Sequence, residues 1–301
     1  DNGPLVLNGS TSPPDGPRLE GGTLVLGNDD ALGSGNLTTS AGTRLDSNKA
    51  VSLVNDVVLD GALTLAGSND LTLNGLVFGN GSLVKNGSAT LTLNNANDYA
   101  GTTLNGGTLV LGDRGALGNG QLTVSGVSTL DNSVAMTLGN VINLGSRLTI
   151  AGNRDLDLSG ALKGAGTLVK QGSATLALTG SSNFLGTYQV DAGQLNLLGS
   201  NGTNAPWVTV GAAGILGVGA DSTLQSLGGQ GAVQVYNNSV LTLRNGTFAG
   251  SITGNGGLNI DFGSVALSGT SNLNGATAVS SGSLYVCLLY TSDAADEEDS
   301  V

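Results

Sequence analysis

Histidine is absent from the 301 residues, and cysteine occurs once, at Cys287. Without imidazole there is no Ser-His-Asp or Cys-His nucleophile and no His-ligated metal. Charged residues make up 11% of the chain, against roughly 25% in an ordinary soluble domain. Only 10 Lys and Arg stand against 22 Asp and Glu, so the clustered cations that displace counterions from nucleic acid are missing. No apolar run reaches the ~18 residues of a membrane-crossing helix. Aromatics amount to 3%, while 39% of residues are hydrophobic and 51 are Gly. Any core is therefore built from Leu, Val and Ala without large rings, and the chain is too apolar to be disordered throughout.

Residues Cys287 to Glu297, CLLYTSDAADE, resemble the in-frame translation of a transposon-type sequencing-library adapter, and Glu298 to Val301 fits the read beyond it. Residues 287–301 are accordingly set aside from the fold. The remainder, 1–286, is cysteine-free. Five acidic residues, Asp293, Asp296, Glu297, Glu298 and Asp299, leave with the tail, taking the net charge from −12 to −7. The chain starts at Asp1 with no Met, basic segment or apolar leader, which is expected of a fragment.

An internal repeat dominates what is left. Leu19 to Thr103 (19–103) aligns without a gap on Leu104 to Tyr188 (104–188), and about half of the aligned positions are identical. The best-matched stretches are GGTLVLG at Gly21 to Gly27 and Gly106 to Gly112, and SLVKNGSATLTL at Ser82 to Leu93 against TLVKQGSATLAL at Thr167 to Leu178. A degenerate third copy occupies 189–286, with Ala192 to Leu197 replaying the first motif and Gly256 to Gly275 the second.

Within each copy Leu-x-Leu pairs such as Leu24/Leu26, Leu63/Leu65, Leu91/Leu93 and Leu176/Leu178 alternate with polar residues, the period of a half-buried strand. Gly-Asn, Asn-Gly and Gly-Gly steps between them suit tight turns. The Gly-free run Thr43 to Asp60 also reads as strands, because its counterpart Ser128 to Gly145 keeps the leucines and carries Gly139 opposite Val54. A narrow lumen of stacked Leu and Val needs no large rings, so the pattern predicts an all-β fold, a right-handed parallel β-helix. At roughly 20 to 25 residues per coil, residues 1–286 give about 12 to 14 coils, a rod of about 60 Å at about 4.8 Å per coil. The long repeat is then about four coils.

Gly79, Gly81, Leu83, Lys85, Gly87, Thr90, Leu91 and Leu93, followed by Asn97, Tyr99, Gly101 and Thr102 and then Gly106, Gly107, Thr108, Leu109 and Leu111, form one consensus unit. Gly164, Gly166, Leu168, Lys170, Gly172, Thr175, Leu176 and Leu178, then Asn183, Phe184, Gly186 and Thr187, form a second; the third copy keeps Leu258 but loses the lysine to Ile260 or Asp261 and has Leu273 at the aromatic position. The unit resembles the passenger-associated β-strand repeat of autotransporters, the type V secreted proteins of Gram-negative bacteria. The resemblance implies a pertactin-like passenger, a signal peptide upstream, an outer-membrane barrel of the same protein downstream as partner, and a place at the bacterial cell surface or in the medium after release. A cysteine-free chain whose contacts run between neighbouring coils suits export unfolded and folding on emergence.

Candidate chemistry is sparse. Asp155 and Asp157 lie two apart on one strand face and, with Arg154, could flank a glycosidic bond; their counterparts Asp70 and Thr72 keep one carboxylate, which favours a solvated outer face. Asp29-Asp30 and Asp113-Arg114 occupy one equivalent turn, and the change of Asp29 to Arg114 argues against a repeated Ca²⁺ site. Gly256 to Phe262 resembles a Ca²⁺-binding nonapeptide but lacks its central glycine. Lys85 and Lys170 are expected at the surface, blunting a turn. Tyr99 and Phe184 are expected to pack at corners. Pro4, Pro13, Pro14 and Pro17 predict a loop interrupting the first coil, the one weak binding suggestion. Gly-x-Gly steps here precede strands and carry no nucleotide-binding meaning. No catalytic, cofactor-binding or metal-ligating residue is nominated, no cofactor is expected, and no nucleic-acid partner is expected. The favoured reading is a non-enzymatic stalk that meets host or bacterial surface ligands; a β-helical polysaccharide lyase or hydrolase, or a tailspike-like protein, is the alternative.

Overall fold

The computed structural model describes residues 3–10, 16–152, 154–199 and 205–286; the proposed tail and Pro13 and Pro14 lie outside these. The fold is all-β, its strands pairing in parallel and stacked as a solenoid of about 14 turns. Each strand pairs with the strand about one turn further along: Leu63 with Leu83, Leu83 with Thr102, Thr102 with Leu122, Leu122 with Ile142 and Ile142 with Leu162. These steps put the turn length at the low end of the sequence expectation. Both Gly-free runs are strands as expected, at Thr43–Ser47, Val51–Leu53 and Val57–Leu59 and at Ser128–Asn132, Met136–Leu138 and Ile142–Leu144.

Each turn has three faces. A ten-stranded ladder runs down the first, from Leu5–Leu7 and Thr23–Leu26 through Leu83–Lys85 to Ser182–Phe184. The second carries Val51–Leu53, Leu71–Leu73, Thr90–Leu93, Gly107–Leu111 and their successors. The third begins with Arg18–Leu19, Leu37–Thr39, Val57–Leu59 and Val77–Phe78, gives way to the turn at 113–118, and resumes with Met136–Leu138, Leu156–Leu158 and Thr175–Leu178. In Thr187–Leu197 and Trp207–Val218 one extended segment rounds the corner from the second face to the third, so the two ladders become continuous there.

The alternate leucines point into the lumen, where Leu63, Leu83, Leu122, Ile142 and Leu162 are at most 3% exposed. Each such side chain contributes about 1.5–3 kcal/mol by leaving water. Its neighbours along the axis are the equivalent side chains one turn above and below, which is why one small aliphatic set recurs.

The long repeat is not a whole number of turns. From Thr23–Leu26 the first face passes through Thr43–Ser47, Leu63–Leu65 and Leu83–Lys85 to Gly101–Leu104, four full turns, and the chain must cross one further face to reach Gly107–Leu111. The repeat therefore spans four and a third turns. Leu24 lies on the first face, its counterpart Leu109 on the second, and Leu195 of the third copy on the third. Equivalent surface residues of successive copies look out in different directions.

The corners bring backbones into contact. A Cβ on Gly120 would lie 1.6 Å from the carbonyl oxygen of Ala100 one turn below, whereas a Cβ on Gly139 would meet nothing within 4 Å. Gly120→Ala should lower the thermal midpoint by several degrees, while Gly139→Ala leaves it unchanged or slightly raised; melts followed by circular dichroism distinguish the two.

Candidate functional site

The third face holds a groove of about 720 Å³ bordered by the turn at Asp113–Arg114, the corner at Val134–Ala135 and the strand carrying Asp155 and Asp157. Met136, Leu156 and Ala177 also line it. The lower wall is firmly held. Ala116 and Leu117 of the turn are buried, Asp113 accepts the Gly115 N–H through Oδ1 at 2.7 Å, and the Tyr99 hydroxyl from the turn below donates to the Ala116 carbonyl at 3.2 Å. Asn140 clasps the end of the turn, its amide donating to the carbonyls of Gly118 and Gly120 at 2.9 and 2.8 Å. Asn55 does the same to Gly33 and Gly35 one repeat earlier. Arg114 is left exposed at the rim.

Asp113, Arg114, Asp155 and Asp157, distant in sequence, thus line one groove. Arg154 is exposed and does not line it. The carboxylates are occupied. Asp155 accepts the backbone N–H of Thr175, one turn on, at 2.8 Å, and Asp157 accepts the Thr179 hydroxyl at 2.6 Å and faces Thr137 at 3.4 Å. Asp70, the counterpart of Asp155, accepts the Thr90 N–H at 2.7 Å; Asp56 and Asp221 hold the N–H groups of Leu76 and Val240 in the same way at 2.8 Å. These side chains supply the acceptor that the ladder lacks where a strand begins. Their remaining oxygens and the Arg114 guanidinium can hydrogen-bond a ligand, but Asp155 caps the ladder and Asp157 takes threonine hydroxyls from the turns on either side, so both carboxylates serve the wall of the rod.

The other candidate residues separate. Asp29 accepts the Ser52 N–H at 2.9 Å, and its turn lies on a different face from the Asp113 turn. No group of three or more Asp, Glu, His or Cys among the described residues stands close enough to hold a metal ion. In the nonapeptide-like segment, Gly257–Ile260 is a strand, Asp261 lies 3.9 Å from Arg244, and Phe262 projects outward at 65% exposure. Pro4 is exposed and Pro17 half-buried, flanking the expected loop. Tyr99 and Phe184 are both 1% exposed and pack as expected, Phe184 against Tyr188 with ring centroids 5.0 Å apart.

Lys85 and Lys170 correct the surface expectation: each is only 2% exposed. They occupy inward positions of their strands, paired with Leu65 and Leu104 and with Ile150 and Val190. The ammonium groups turn to the corner, where Lys85 donates to the Asn86 carbonyl at 3.2 Å and Lys170 to those of Gln171, Gly172 and Ala192 at 2.6, 2.9 and 3.4 Å. Burial pulls both below the ordinary lysine value, and the carboxylates of Asp70 and Asp155 oppose that pull. Strict inward alternation, Leu83-x-Lys85 and Leu168-x-Lys170, was the signal in the sequence.

Residues 83–111 and 168–197 match a family model described as passenger-associated-transport-repeat. No curated protein and no solved structure matches the chain.

Two measurements test this account. Asp155→Ala and Asp70→Ala should each cost about 1 kcal/mol by denaturant midpoint, whereas the Asn variants, which keep an acceptor, should cost far less. Burial raises the phenol of Tyr188 to about 12 and pushes Tyr99 higher still, with hydrogen bonds from Ser182 and Thr102 acting the other way. The unfolded chain loses these protons near pH 10, so stability is intact below that and falls as pH rises toward 12. Tyr99→Phe and Tyr188→Phe should move the alkaline unfolding midpoint upward.

Proposed function

We propose that this chain, an autotransporter passenger by its repeats and its β-solenoid, is a non-enzymatic stalk whose outer faces meet surface ligands. The family implies an outer-membrane translocator as C-terminal partner and an exported or surface-exposed passenger. The observation that carries the stalk reading is the assignment of Asp70, Asp155, Asp56 and Asp221 to ladder caps: where carboxylates recur, they tie one turn to the next. The core is filled mainly by aliphatic side chains, with Tyr99, Phe184, Tyr188 and Phe248 buried among them, leaving recognition to outward polar residues and corners. The ligands are host or bacterial surface proteins or glycans, met along the rod and at its projecting corners. Residues 1–286 form the passenger part in this reading, with 287–301 foreign to it.

One feature favours a second reading. Asp155 and Asp157 line a groove that also holds a guanidinium, so a polysaccharide-active site would be placed here. Expressed with its translocator, the passenger should increase adherence of the bearing cells, while the purified chain releases no unsaturated or reducing ends from polyuronates or neutral polysaccharides. Release that disappears with Asp155→Asn and Asp157→Asn would replace the stalk by an enzyme.

A further inference from the structure

Toward the C-terminal end of the described rod, the edge between the first and second faces changes character. The first face resumes there with Ser222–Leu224, Val240–Leu243 and Gly257–Ile260, and each passes round a corner into a second-face strand, Ser226–Gly229, Gly246–Phe248 and Ser264–Leu267. Trp207, the chain's one tryptophan, opens the second-face strand one rung below and pairs with Ser226. Two residues separate Leu243 from Gly246 at the middle corner, whereas four separate Ile260 from Val265 at the next. The longer corner throws Phe262 outward. Phe184 and Phe248 are 1% exposed, yet Phe262 is 65% exposed and Trp207 51%. Between the two exposed rings the corners present Gln225, Arg244 and Asp261, which with Phe262 line a recess of about 340 Å³. Asp261 turns Oδ1 inward toward Arg244 Nε at 3.9 Å, and about a third of each side chain stays exposed. Neither the Gln225 carboxamide nor the Arg244 guanidinium makes a hydrogen bond among the described residues.

From this arrangement we propose that the edge from Trp207 to Phe262 binds a neutral glycan chain, its sugar rings lying on the two aromatic faces and its hydroxyls meeting Gln225, Arg244 and Asp261. The proposal rests on the surface-ligand reading above and narrows it to one ligand class and one place. A sugar ring has C–H faces that pack on an aromatic ring and a rim of hydroxyls that both donate and accept. A carboxamide, a guanidinium and a carboxylate set beside exposed rings match that rim. The recess carries one cation and one anion, so its charge is balanced and it offers no net attraction to a polyanion. The two aromatic rungs lie three turns apart, through Ser226 and Asn245 to Ser264, about 14 Å at about 4.8 Å per turn. An extended chain running parallel to the rod axis can span that distance and touch every corner between.

Because Trp207 is the one tryptophan, its emission reports the site directly. Titration of the full chain with cellohexaose, mannohexaose and chitohexaose should give a saturable blue shift with at least one of them. Phe262→Ala and Arg244→Ala should each weaken that binding about tenfold, at an unchanged melting temperature, since both side chains project from the wall. Oligogalacturonate and heparin fragments should bind more weakly than the neutral sugar. No shift with any of the three neutral hexasaccharides, tighter binding of the charged ones, or an affinity unchanged in both variants would overturn the proposal. Adherence of cells displaying the passenger with its translocator separates this result from the broader reading: adherence without hexasaccharide binding removes the edge site alone, whereas absence of both removes the surface-ligand role as well. Adherence that falls in the Phe262→Ala and Arg244→Ala variants but is not competed by any hexasaccharide would give the edge to a protein ligand and likewise overturn the glycan assignment.

Discussion

Every inward side chain in this protein rests on the one a turn below and supports the one a turn above. That axial stacking is the constraint from which the rest follows. It fixes which residues of each strand face the lumen, while the corners absorb turns that differ by a residue or two, as from Leu63 to Leu83, Leu83 to Thr102 and Leu24 to Leu45. It favours one narrow range of volumes in the lumen, which explains an aliphatic core with so few rings. It also brings corner backbones close enough that glycine is required wherever a Cβ would strike the turn beneath, as at Gly120.

The same constraint creates a difficulty at each corner. Strands as short as Leu83–Lys85 begin and end every few residues, and each end leaves backbone groups without a ladder partner. Three side-chain devices answer this. Aspartates accept an N–H from the next turn, as Asp70 and Asp155 do. Asparagine amides donate to a pair of carbonyls, as Asn55 and Asn140 do. Lysine ammonium groups reach outward from the lumen to corner carbonyls. Each device recurs in the second copy at the equivalent residue, so much of the identity between copies concerns corners as well as core.

The fold was legible because its signals are local and repeated: Leu-x-Leu alternation gives strands, glycine steps give corners, and an aromatic-poor composition points to a narrow lumen. What escaped depends on the length of a turn, which alternation does not specify. Asp113 and Asp155 share a groove only because two turns of the solenoid separate them, and no motif marks that. The lysines were misjudged for a different reason. A charged residue invites a surface assignment, yet Lys85 and Lys170 keep strict inward parity with Leu83 and Leu168, and parity outweighed charge once corner carbonyls were available to the ammonium.

A repeat of four and a third turns makes the copies a screw rather than a stack. Each copy advances about 21 Å along the axis, at about 4.8 Å per turn, and swings by one side of the prism. In an array that kept this step, the same side would reappear only after three copies, about 62 Å further on at that rise. A flat membrane laid against such a rod would meet every third copy, while the two between them faced elsewhere. Evolution by duplication of this unit would lengthen the rod and, in the same event, distribute whatever it presents around its circumference.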